Sequence, residues 1–527
     1  MSGRLTLSWV NKDRALVPDG DGGYQWVERD DPRVTGVRLL HQAGHVGDVD
    51  GTGQDNLLIQ GDSYDALHAL SRTPEYAKRY RGKVKLVYID PPFNTGQAFE
   101  NYDDALEHSV WLGMMRERLL LIRELLAPSG SVWVHLDDAE MAYCRVLMDE
   151  VFGRGHFIAN VIWQKIHARN NSAQHFSAVH DYLIVFAKDR ASLQLGRVDR
   201  TELSDLDFWN PDNDPRGRWR RSDLTASHSY EDGRYEVIGP YGDPFKPRGN
   251  RWWSVSRETF DQLRADDRLW WGKTGRTFPF RKRFESELGG LVPNTFWTHD
   301  EVGDNREAKG EVTKLFGRNA IFSTPKPEKL LRRIITIGSN PGDIVLDCFA
   351  GSGTTAAVAH KMGRKWVTVE LSSETVETFT RPRLEKVVAG DDPGGITNGV
   401  NWPGGGGFHV LSVGPSLYEQ AGSRILLADW AKGEEFAQAV AAQLGFIFEQ
   451  DGPFTGVKGR TRLAVVDGVA DDVVVKSIVS RLDEDERVTI VTKAAAPGTE
   501  QALRELSSGS RLLKAPRDLV RRGRVVR

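Results

Sequence analysis

Short apolar runs alternate with amphipathic stretches in the first third of the chain. Residues 85–89 form an apolar run that ends at Asp90, a pattern typical of a buried parallel strand with functional residues at its carboxyl end. Residues 56–60 and 131–136 predict two further strands, and apolar positions recur at helical spacing over residues 107–126. This alternation predicts strand–helix–strand units in a parallel sheet.

The same rhythm returns after a long interruption. Between residues 200 and 315 the alternation is lost, and tryptophan, arginine, glycine and aspartate become frequent. On either side of the interruption the pattern predicts helices at 138–152, 328–338 and 354–362 and strands at 181–187, 344–347 and 365–370. We therefore expect an α/β fold, a doubly wound Rossmann-like sheet interrupted by an insert, with a small α/β domain at the C-terminal end.

The composition along the chain suggests five segments. Residues 1–54 are rich in glycine, aspartate and proline and are predicted to form an irregular N-terminal arm. The two halves of the sheet are expected at 55–199 and 316–400, with the insert at 200–315 between them. A glycine-rich stretch then introduces the C-terminal domain, predicted at 401–527.

Composition and charge exclude several classes of protein. The 527 residues are 39% hydrophobic and 27% charged, with a net charge of −3, so wholesale disorder and a uniformly basic nucleic-acid binder are both excluded. The two cysteines, Cys144 and Cys348, cannot form a disulfide framework or a metal cluster by themselves. No apolar run has the length of a membrane span, and no signal-peptide pattern is present. We expect a cytoplasmic protein with no bound metal.

Asp90-Pro91-Pro92-Phe93 is the strongest chemical signal in the chain. The two prolines stiffen the loop and remove two backbone donors, so free carbonyl groups stand beside a carboxylate and an aromatic ring. Asp90 and the Pro91 carbonyl could accept both hydrogens of an amino group on a planar ring, and Phe93 could stack on that ring. The alternative is a strand end that is merely terminated by prolines.

A second signal is a glycine-rich loop between a predicted strand and a predicted helix. Glycines there let a ligand approach the backbone, and a carboxylate at the end of the following strand could bind both ribose hydroxyls of an adenosine moiety. A third glycine, which a dinucleotide site needs, is absent, and so is the lysine of a phosphate-binding loop. A tight turn without a ligand is the alternative. The candidate binding residues are Asp347, Phe349, Ala350, Gly351, Gly353, Thr354 and Glu370.

Two weaker candidates could complete the same pocket. Asp62 follows a predicted strand and a glycine, where it could reach the adenine amino group of the ligand. It is equally well placed to cap the following helix. Lys326 lies between two prolines shortly before the glycine-rich loop and is the second candidate.

The insert carries a basic and aromatic segment. Residues 246–283 contain 11 lysine and arginine residues against 4 acidic ones, interleaved with tryptophan and phenylalanine. Basic side chains of this kind contact phosphates and base edges. The alternative is a solvated basic face over a core of tryptophans, and the tryptophans themselves are expected in the core. The candidate DNA contacts are Arg248, Arg251, Lys273, Arg276, Arg281 and Lys282.

Taken together, these motifs resemble the β-class DNA amino-methyltransferases, in which the Asp-Pro-Pro-aromatic motif precedes the glycine loop. Within that class the chain resembles the modification (Mod) subunits of type III restriction–modification systems over about residues 55–415. The strings that carry the resemblance are residues 90–96, 132–138, 180–182, 324–327, 347–355 and 404–408.

The resemblance implies a function. Such proteins transfer a methyl group from S-adenosylmethionine to N6 of a flipped adenine in double-stranded DNA, act as dimers and recruit an ATP-dependent restriction subunit. Their target recognition domain lies between the two motif groups. Phe93 departs from the family, where tyrosine is usual, so stacking is retained but a hydroxyl is lost.

Several alternatives stay open at this point. They are methylation of N4 of cytosine, an orphan adenine methyltransferase without a restriction partner, a DNA-binding subunit without catalysis and, more remotely, a nicotinamide oxidoreductase. Asp90 favours adenine over cytosine, because cytosine-N4 enzymes often carry serine in its place.

Overall fold

The computed structural model describes residues 6–18, 24–49, 56–94, 98–99, 102–103, 107–168, 172–198, 208–228, 232–287, 289–319, 322–422 and 424–522. The strands, in chain order, are β1 (Ala15–Pro18), β2 (Tyr24–Val27), β3 (Leu40–Gly47), β4 (Asn56–Gln60), β5 (Val84–Ile89), β6 (Ala98–Phe99), β7 (Tyr102–Asp103), β8 (Leu126–Leu136), β9 (Phe157–Gln164), β10 (His180–Ala187), β11 (Trp219–Ser222), β12 (Thr225–Ala226), β13 (Val237–Ile238), β14 (Pro244–Phe245), β15 (Trp252–Trp253), β16 (Leu269–Trp270), β17 (Phe280–Phe284), β18 (Phe296–Trp297), β19 (Ile344–Asp347), β20 (Lys365–Glu370), β21 (Gly407–Val413), β22 (Tyr418–Ala421), β23 (Arg424–Leu427), β24 (Ile447–Asp451), β25 (Phe454–Lys458), β26 (Thr461–Ala470), β27 (Arg487–Ala495) and β28 (Arg511–Lys514). The helices are α1 (Pro32–Thr35), α2 (Ser63–Arg72), α3 (Pro74–Tyr80), α4 (His108–Leu125), α5 (Met141–Met148), α6 (Arg257–Ala265), α7 (His299–Val302), α8 (Asn305–Phe316), α9 (Glu328–Gly338), α10 (Thr354–Lys361), α11 (Ser373–Thr375), α12 (Arg381–Ala389), α13 (Gly433–Leu444), α14 (Asp472–Val479), α15 (Thr499–Leu506) and α16 (Arg517–Arg522).

The centre of the larger unit is a ten-stranded sheet in the order β18-β9-β10-β8-β5-β19-β20-β4-β21-β3. The strands from β8 to β21 run parallel to their neighbours, and antiparallel pairing occurs at β8–β10, β9–β10 and β3–β21. The middle strands are buried on both faces, because helices cover them, which explains their nearly continuous apolar sequences. The doubly wound α/β class predicted from the sequence is confirmed.

The two centre strands come from distant parts of the chain. β5 pairs in parallel with β19, with Leu86 opposite Val345 and Val87 opposite Leu346. The chain winds outward in opposite directions from this pair, through β8 on one side and β20 on the other. Such a reversal of strand order opens a crevice at the carboxyl ends of the two strands, where doubly wound folds bind their ligands.

Most predicted elements of the sheet lie where the sequence placed them, but the N-terminal arm is more regular than expected. Within residues 1–54, β3 pairs with β21 at one edge of the central sheet, and β1 pairs with β2. β21 itself lies inside the segment predicted as a separate C-terminal domain. The irregular structure expected for residues 1–54 is therefore wrong for these strands, whose polar alternating sequences carry only a weak strand signal.

Residues Arg197–Pro293 form a second compact unit. A three-stranded sheet (β11-β17-β16) and several two-stranded ladders surround a small core that includes Trp253, Phe260 and Trp271. The insert predicted at 200–315 extends beyond this unit, because β18, α7 and α8 belong to the larger one. The placement of tryptophans in the core is confirmed for Trp253 and Trp271.

The C-terminal part of the larger unit builds a second sheet in the order β24-β25-β26-β27-β28. Its last three strands are parallel and alternate along the chain with α14 and α15, so this part is α/β, as expected. Two apolar clusters form its core. In the part of the chain that the structure describes, no helix is long and apolar enough to cross a membrane.

Candidate active site

The Asp90-Pro91-Pro92-Phe93 loop leaves β5 at the carboxyl end of the sheet. Asp90 Oδ2 lies 2.5 Å from Lys326 Nζ. Asp90 Oδ1 is buried and has no hydrogen-bond partner among the described residues. The Pro92 carbonyl accepts a hydrogen bond of 2.7 Å from the indole of Trp111, which fixes the end of the loop. A buried carboxylate oxygen without a donor is costly, so this atom is prepared for a donor that the described residues do not supply.

The glycine-rich loop follows β19, next to β5, and its conformation requires glycine. Gly351 and Gly353 have φ angles of 51° and 78°, in the left-handed region. The Glu370 carboxylate at the end of β20 accepts hydrogen bonds from the backbone N–H of Gly351, at 2.8 Å, and of Ser372, at 3.0 Å. Glu370 therefore ties the end of its strand to the loop and presents its carboxylate at the crevice.

One cavity of about 340 Å³ joins the two loops. It is lined by eleven of the thirteen residues that the sequence assigned to catalysis or cofactor binding: Asp90, Pro91, Pro92, Phe93, Lys326, Asp347, Phe349, Ala350, Gly351, Thr354 and Glu370. The remaining two, Asp62 and Gly353, do not line it. The structure thus gathers residues that are up to 280 positions apart in the chain, from Asp90 to Glu370, around a single space.

Asp62 and Gly353 have structural roles. Asp62 caps α2 by accepting a 2.7 Å hydrogen bond from the Tyr64 backbone, and it forms an ion pair of 2.8 Å with Arg118. The capping alternative is therefore the one observed for Asp62. Gly353 is the residue before α10, and its left-handed conformation turns the loop into the helix.

Burial and like charges disturb the acidic groups of the cavity. Burial, together with the carboxylates of Asp90 and Glu370, raises the pKa of Asp347 to about 7, against the hydrogen bonds from Thr355 and the Phe349 backbone. Burial also raises the pKa of Glu370. Concentrated negative charge in a half-enclosed crevice is suited to a ligand that carries a positive charge.

A buried polar chain behind Phe93 was not found from the sequence. His135 lies between Tyr88, whose hydroxyl is 2.8 Å from Nδ1, and Asp181, whose carboxylate is 3.2 Å from Nε2. The imidazole packs against Phe93 with ring centroids 5.8 Å apart. Lys165 lies 2.6 Å from Asp181. These hydrogen bonds hold the His135 imidazole behind Phe93. The position of these residues near strand ends is the feature of the sequence from which the arrangement could have been predicted.

Burial alone would raise the pKa of Asp181, but the hydrogen bond from His135 and the charge of Lys165 outweigh it and lower the pKa. Asp181 therefore keeps its negative charge at neutral pH. Burial and neighbouring carboxylates raise the pKa of Tyr88, so its hydroxyl keeps its proton and stays uncharged beside His135.

A buried ion cluster supports the glycine-rich loop from behind. The Glu328 carboxylate accepts two hydrogen bonds of 2.8 Å from Lys361 and one of 2.9 Å from Arg383. Arg383 in turn donates to the Thr354 hydroxyl at 2.8 Å, and Lys361 lies 2.5 Å from Asp392. The cluster connects the start of α9, two residues after Lys326, with the first residue of α10.

In the separate unit at 197–293, the predicted basic residues differ in their surroundings. Arg248 and Lys273 are exposed, whereas Arg251 and Arg276 are exposed but paired with Asp223 and Asp243. Arg281 is half-buried, and among the described residues its Nε has no partner.

The expectation that Lys282 contacts DNA is wrong. Its side chain is about 2% exposed and its ammonium group lies 2.6 to 3.2 Å from Asp212, Asp214 and Asp267. Three carboxylates surround this one cation, so Lys282 stabilises the fold of the unit. The alternation of a strand places successive residues on opposite faces, which explains why Lys282 is buried while its neighbours are not.

The other face of the same sheet carries Arg220 and Arg283, which were not among the predicted DNA contacts, and Arg281, which was. Arg220 lies opposite Arg283 across β11 and β17, and Arg281 follows on the same face. Among the described residues, none of these three guanidinium groups forms an ion pair with a carboxylate. Burial and the charge of Arg283 lower the pKa of Arg281. Three positive charges therefore lie together on this face, and the Glu287 carboxylate offsets their effect on Arg281 only in part.

The geometry is that of a methyltransferase crevice, and comparison with known proteins agrees. A family model described as DNA methylase, of the N6 and N4 methyltransferase type, matches residues 84–381, which is more than half of the chain. The chain belongs to this DNA methylase family. The matched range begins with β5, includes the whole cavity-forming part of the sheet and ends at the start of α12.

Within the family, the chain is similar to Mod subunits. It is 32% identical over 332 residues to the type III restriction-modification enzyme StyLTI Mod subunit of Salmonella typhimurium, covering 57% of this chain and 49% of that protein. It is 31% identical over 490 residues to the "Probable type III restriction-modification enzyme HindVI Mod subunit" of Haemophilus influenzae, covering 80% and 61%. The type II methyltransferase M.EcaI of Enterobacter cloacae is 28% identical over 305 residues, covering 57% and 64%. The resemblance found from the motifs is confirmed, and the chain spans about half to two thirds of the length of these relatives.

Proposed function

We propose that this chain transfers a methyl group from S-adenosylmethionine to N6 of an adenine that is flipped out of double-stranded DNA. The observation that carries the proposal is the buried, unpartnered Oδ1 of Asp90, in the same cavity as the glycine-rich loop. An acceptor that lacks a donor, beside a stiff proline loop and an aromatic ring, fits the amino group of a nucleobase.

The residues present fit S-adenosylmethionine. The left-handed Gly351 leaves its backbone open to the crevice, and a Cβ there would come within 3.1 Å of the Phe322 ring. The carboxylate of Glu370 is placed for the two ribose hydroxyls. The cavity is lined by acidic side chains, Asp347 among them, and their charge favours a positively charged sulfonium. When bound, the cofactor supplies an electrophilic methyl group.

The chain's own residues hold and orient the target. Asp90 Oδ1 would accept one amino hydrogen, and the Pro91 carbonyl would accept the other, so the nitrogen lone pair is withdrawn from the ring. Phe93, supported by His135, would stack on the base. As the nitrogen gains the methyl group it must lose a proton, and the Asp90 carboxylate is the nearest base to receive it. Fixed orientation of this kind supplies much of the rate.

DNA contacts are proposed on the unit at 197–293. Arg248, Arg251, Lys273 and Arg276 remain candidates because their side chains are exposed. The face formed by Arg220, Arg281 and Arg283 is added, because among the described residues its guanidinium groups form no ion pair with a carboxylate, and they suit a row of phosphates.

Two measurements test the proposed function. Single-molecule sequencing of DNA from cells that express the protein should reveal N6-methyladenine at one short motif, and nucleoside mass analysis separates this from N4-methylcytosine. Transfer of tritiated methyl groups to that DNA should be lost in Asp90→Ala, while calorimetric binding of S-adenosylmethionine is retained. An active Asp90→Ala variant, or unmodified DNA from expressing cells, would contradict the proposal.

The same reasoning extends to partners. We propose a role as the modification and recognition subunit of a type III-like system, which the Mod names of two relatives support. We further propose a homodimer as the working form and an ATP-dependent restriction subunit as partner, because the resemblance to Mod subunits implies both. Light scattering should give twice the chain mass of 59.0 kDa. A monomer at micromolar concentration would exclude the dimer. A neighbouring restriction subunit, produced together with this chain, should copurify with it.

A further inference from the structure

We propose that Lys326 is a placeholder for the target base: in the free protein its ammonium group lies over the Phe93 ring on which the base would stack, and it must leave when the base enters. The proposal rests on the function proposed above, which places the base between Asp90 and Phe93. It assigns Lys326 to the base side of the cavity, whereas the sequence placed it with the cofactor.

Lys326 contacts the same two side chains that would hold the base, but on Asp90 it uses Oδ2, whereas the base is proposed to use Oδ1. Its Nζ lies 2.5 Å from Asp90 Oδ2, and the same atom lies over the Phe93 ring, 5.3 Å from the ring centroid. An ammonium group and a nucleobase amino group are both N–H donors, and both a cation and a base ring bind the face of an aromatic ring. One ring face cannot bind the ammonium group and stack on the base at the same time.

The backbone around Lys326 explains why the side chain is held there. Pro325 and Pro327 flank it and restrict the loop, and the side chain is only 9% exposed. Pro327 is the residue that precedes α9, so Lys326 stands at the positive end of a helix. A cation is unfavourable at that end, so the position is not explained by helix stability. The attraction of Asp90 explains it.

The released ammonium group has other anions within the same space. Asp137, Asp181, Asp347 and Glu370 all line the cavity with Lys326. Displacement therefore exchanges one carboxylate for another and does not leave a buried charge unpaired. The site is open only when the Lys326 side chain has moved away from Phe93. The apparent affinity of the site for the base is therefore its intrinsic affinity multiplied by the fraction of molecules in the open state.

The test uses the full-length protein and a duplex that carries the motif found by sequencing, with 2-aminopurine at the target position. Extrusion of 2-aminopurine raises its fluorescence, and the measurement is made without cofactor. Lys326→Met keeps the length of the side chain and removes the ammonium group. We expect a larger extruded fraction than in the wild type, up to about tenfold if Lys326 occupies the site ~90% of the time. Binding of S-adenosylmethionine should be unchanged.

Lys329→Met is the matched control, because Lys329 is nearby in sequence but exposed and paired with Glu307. Lys326→Gln, which keeps a neutral donor, should give an intermediate value and serves if the methionine variant does not fold. Two results would overturn the proposal: unchanged or reduced extrusion in Lys326→Met, and weaker cofactor binding without a gain in extrusion, which would make Lys326 a cofactor ligand. If DNA from cells that express the wild-type protein carries no methylated adenine, the proposed function fails instead. The two failures are therefore distinguishable.

Discussion

The buried cluster around Glu328 offers a sharp test of how the site is supported. Glu328 and Asp392 carry two negative charges, and Lys361 and Arg383 carry two positive ones, so the cluster is neutral. All four side chains are at most 1% exposed. Glu328 also accepts a 2.9 Å hydrogen bond from the Ile396 backbone. Glu328→Gln keeps the volume but leaves one buried positive charge without a partner.

The expected cost follows from this geometry. Removing one partner of a buried, hydrogen-bonded ion pair costs about 3–5 kcal/mol. Glu385→Gln is the matched control, because Glu385 pairs with Arg381 at the same distance, 2.8 Å, but both side chains are exposed. Exposed pairs of this spacing on a helix contribute about 0.3–0.5 kcal/mol. The two variants therefore separate burial from the mere presence of an ion pair.

The assay is urea unfolding followed by tryptophan fluorescence, with the free energy of unfolding compared among wild type and both variants. Because Arg383 also holds Thr354 of the glycine-rich loop, the Glu328 variant should bind S-adenosylhomocysteine more weakly by calorimetry at a temperature where it remains folded. A loss of stability below about 1 kcal/mol for Glu328→Gln, close to that of the exposed control, would refute the reasoning about burial.

Three further predictions concern other parts of the molecule. Burial and a neighbouring carboxylate raise the pKa of Glu311 from 4.5 to about 8, so folding favours its protonated form. The resulting stabilisation is complete below pH 4.5 and is lost as the pH rises through 8. The free energy of unfolding of Glu311→Gln should therefore fall less between these pH values than that of the wild type. Equal pH dependence in both proteins would contradict this. Replacing Arg220, Arg281 and Arg283 together by glutamine should reduce the slope of log affinity for DNA against log salt by about 3, and an unchanged slope would remove this face from the interface. Phe93→Tyr should retain methyl transfer, whereas Phe93→Ala should lose about 1–3 kcal/mol of stacking, a fall of roughly 5- to 150-fold in kcat/KM; equal rates for alanine and tyrosine would exclude stacking.

The sequence predicted the chemistry of the crevice better than its surroundings. Asp90 and Gly351 stand at strand ends with local signatures, because proline and glycine restrict or release the backbone in ways that a short string reveals. Lys282 was misplaced, because a basic segment does not show which side of a strand faces inward. His135 and Asp181 could not be assigned together, since their contact depends on the antiparallel pairing of β8 and β10.

The adjacency of β5 and β19 has a consequence for synthesis of the protein. About 250 residues separate these two strands, and at 5–20 residues per second a ribosome needs roughly 13–50 s to make them. During that time β5 has no β19 beside it, so a hydrophobic parallel edge at the centre of the future sheet stays unpaired, with the aggregation hazard that such edges carry. β4 waits as well, because its neighbours β20 and β21 emerge later still. A nascent chain interrupted before residue 344 has the Asp90 loop but no crevice, so the cavity forms late in translation, when the two halves of the sheet close on each other.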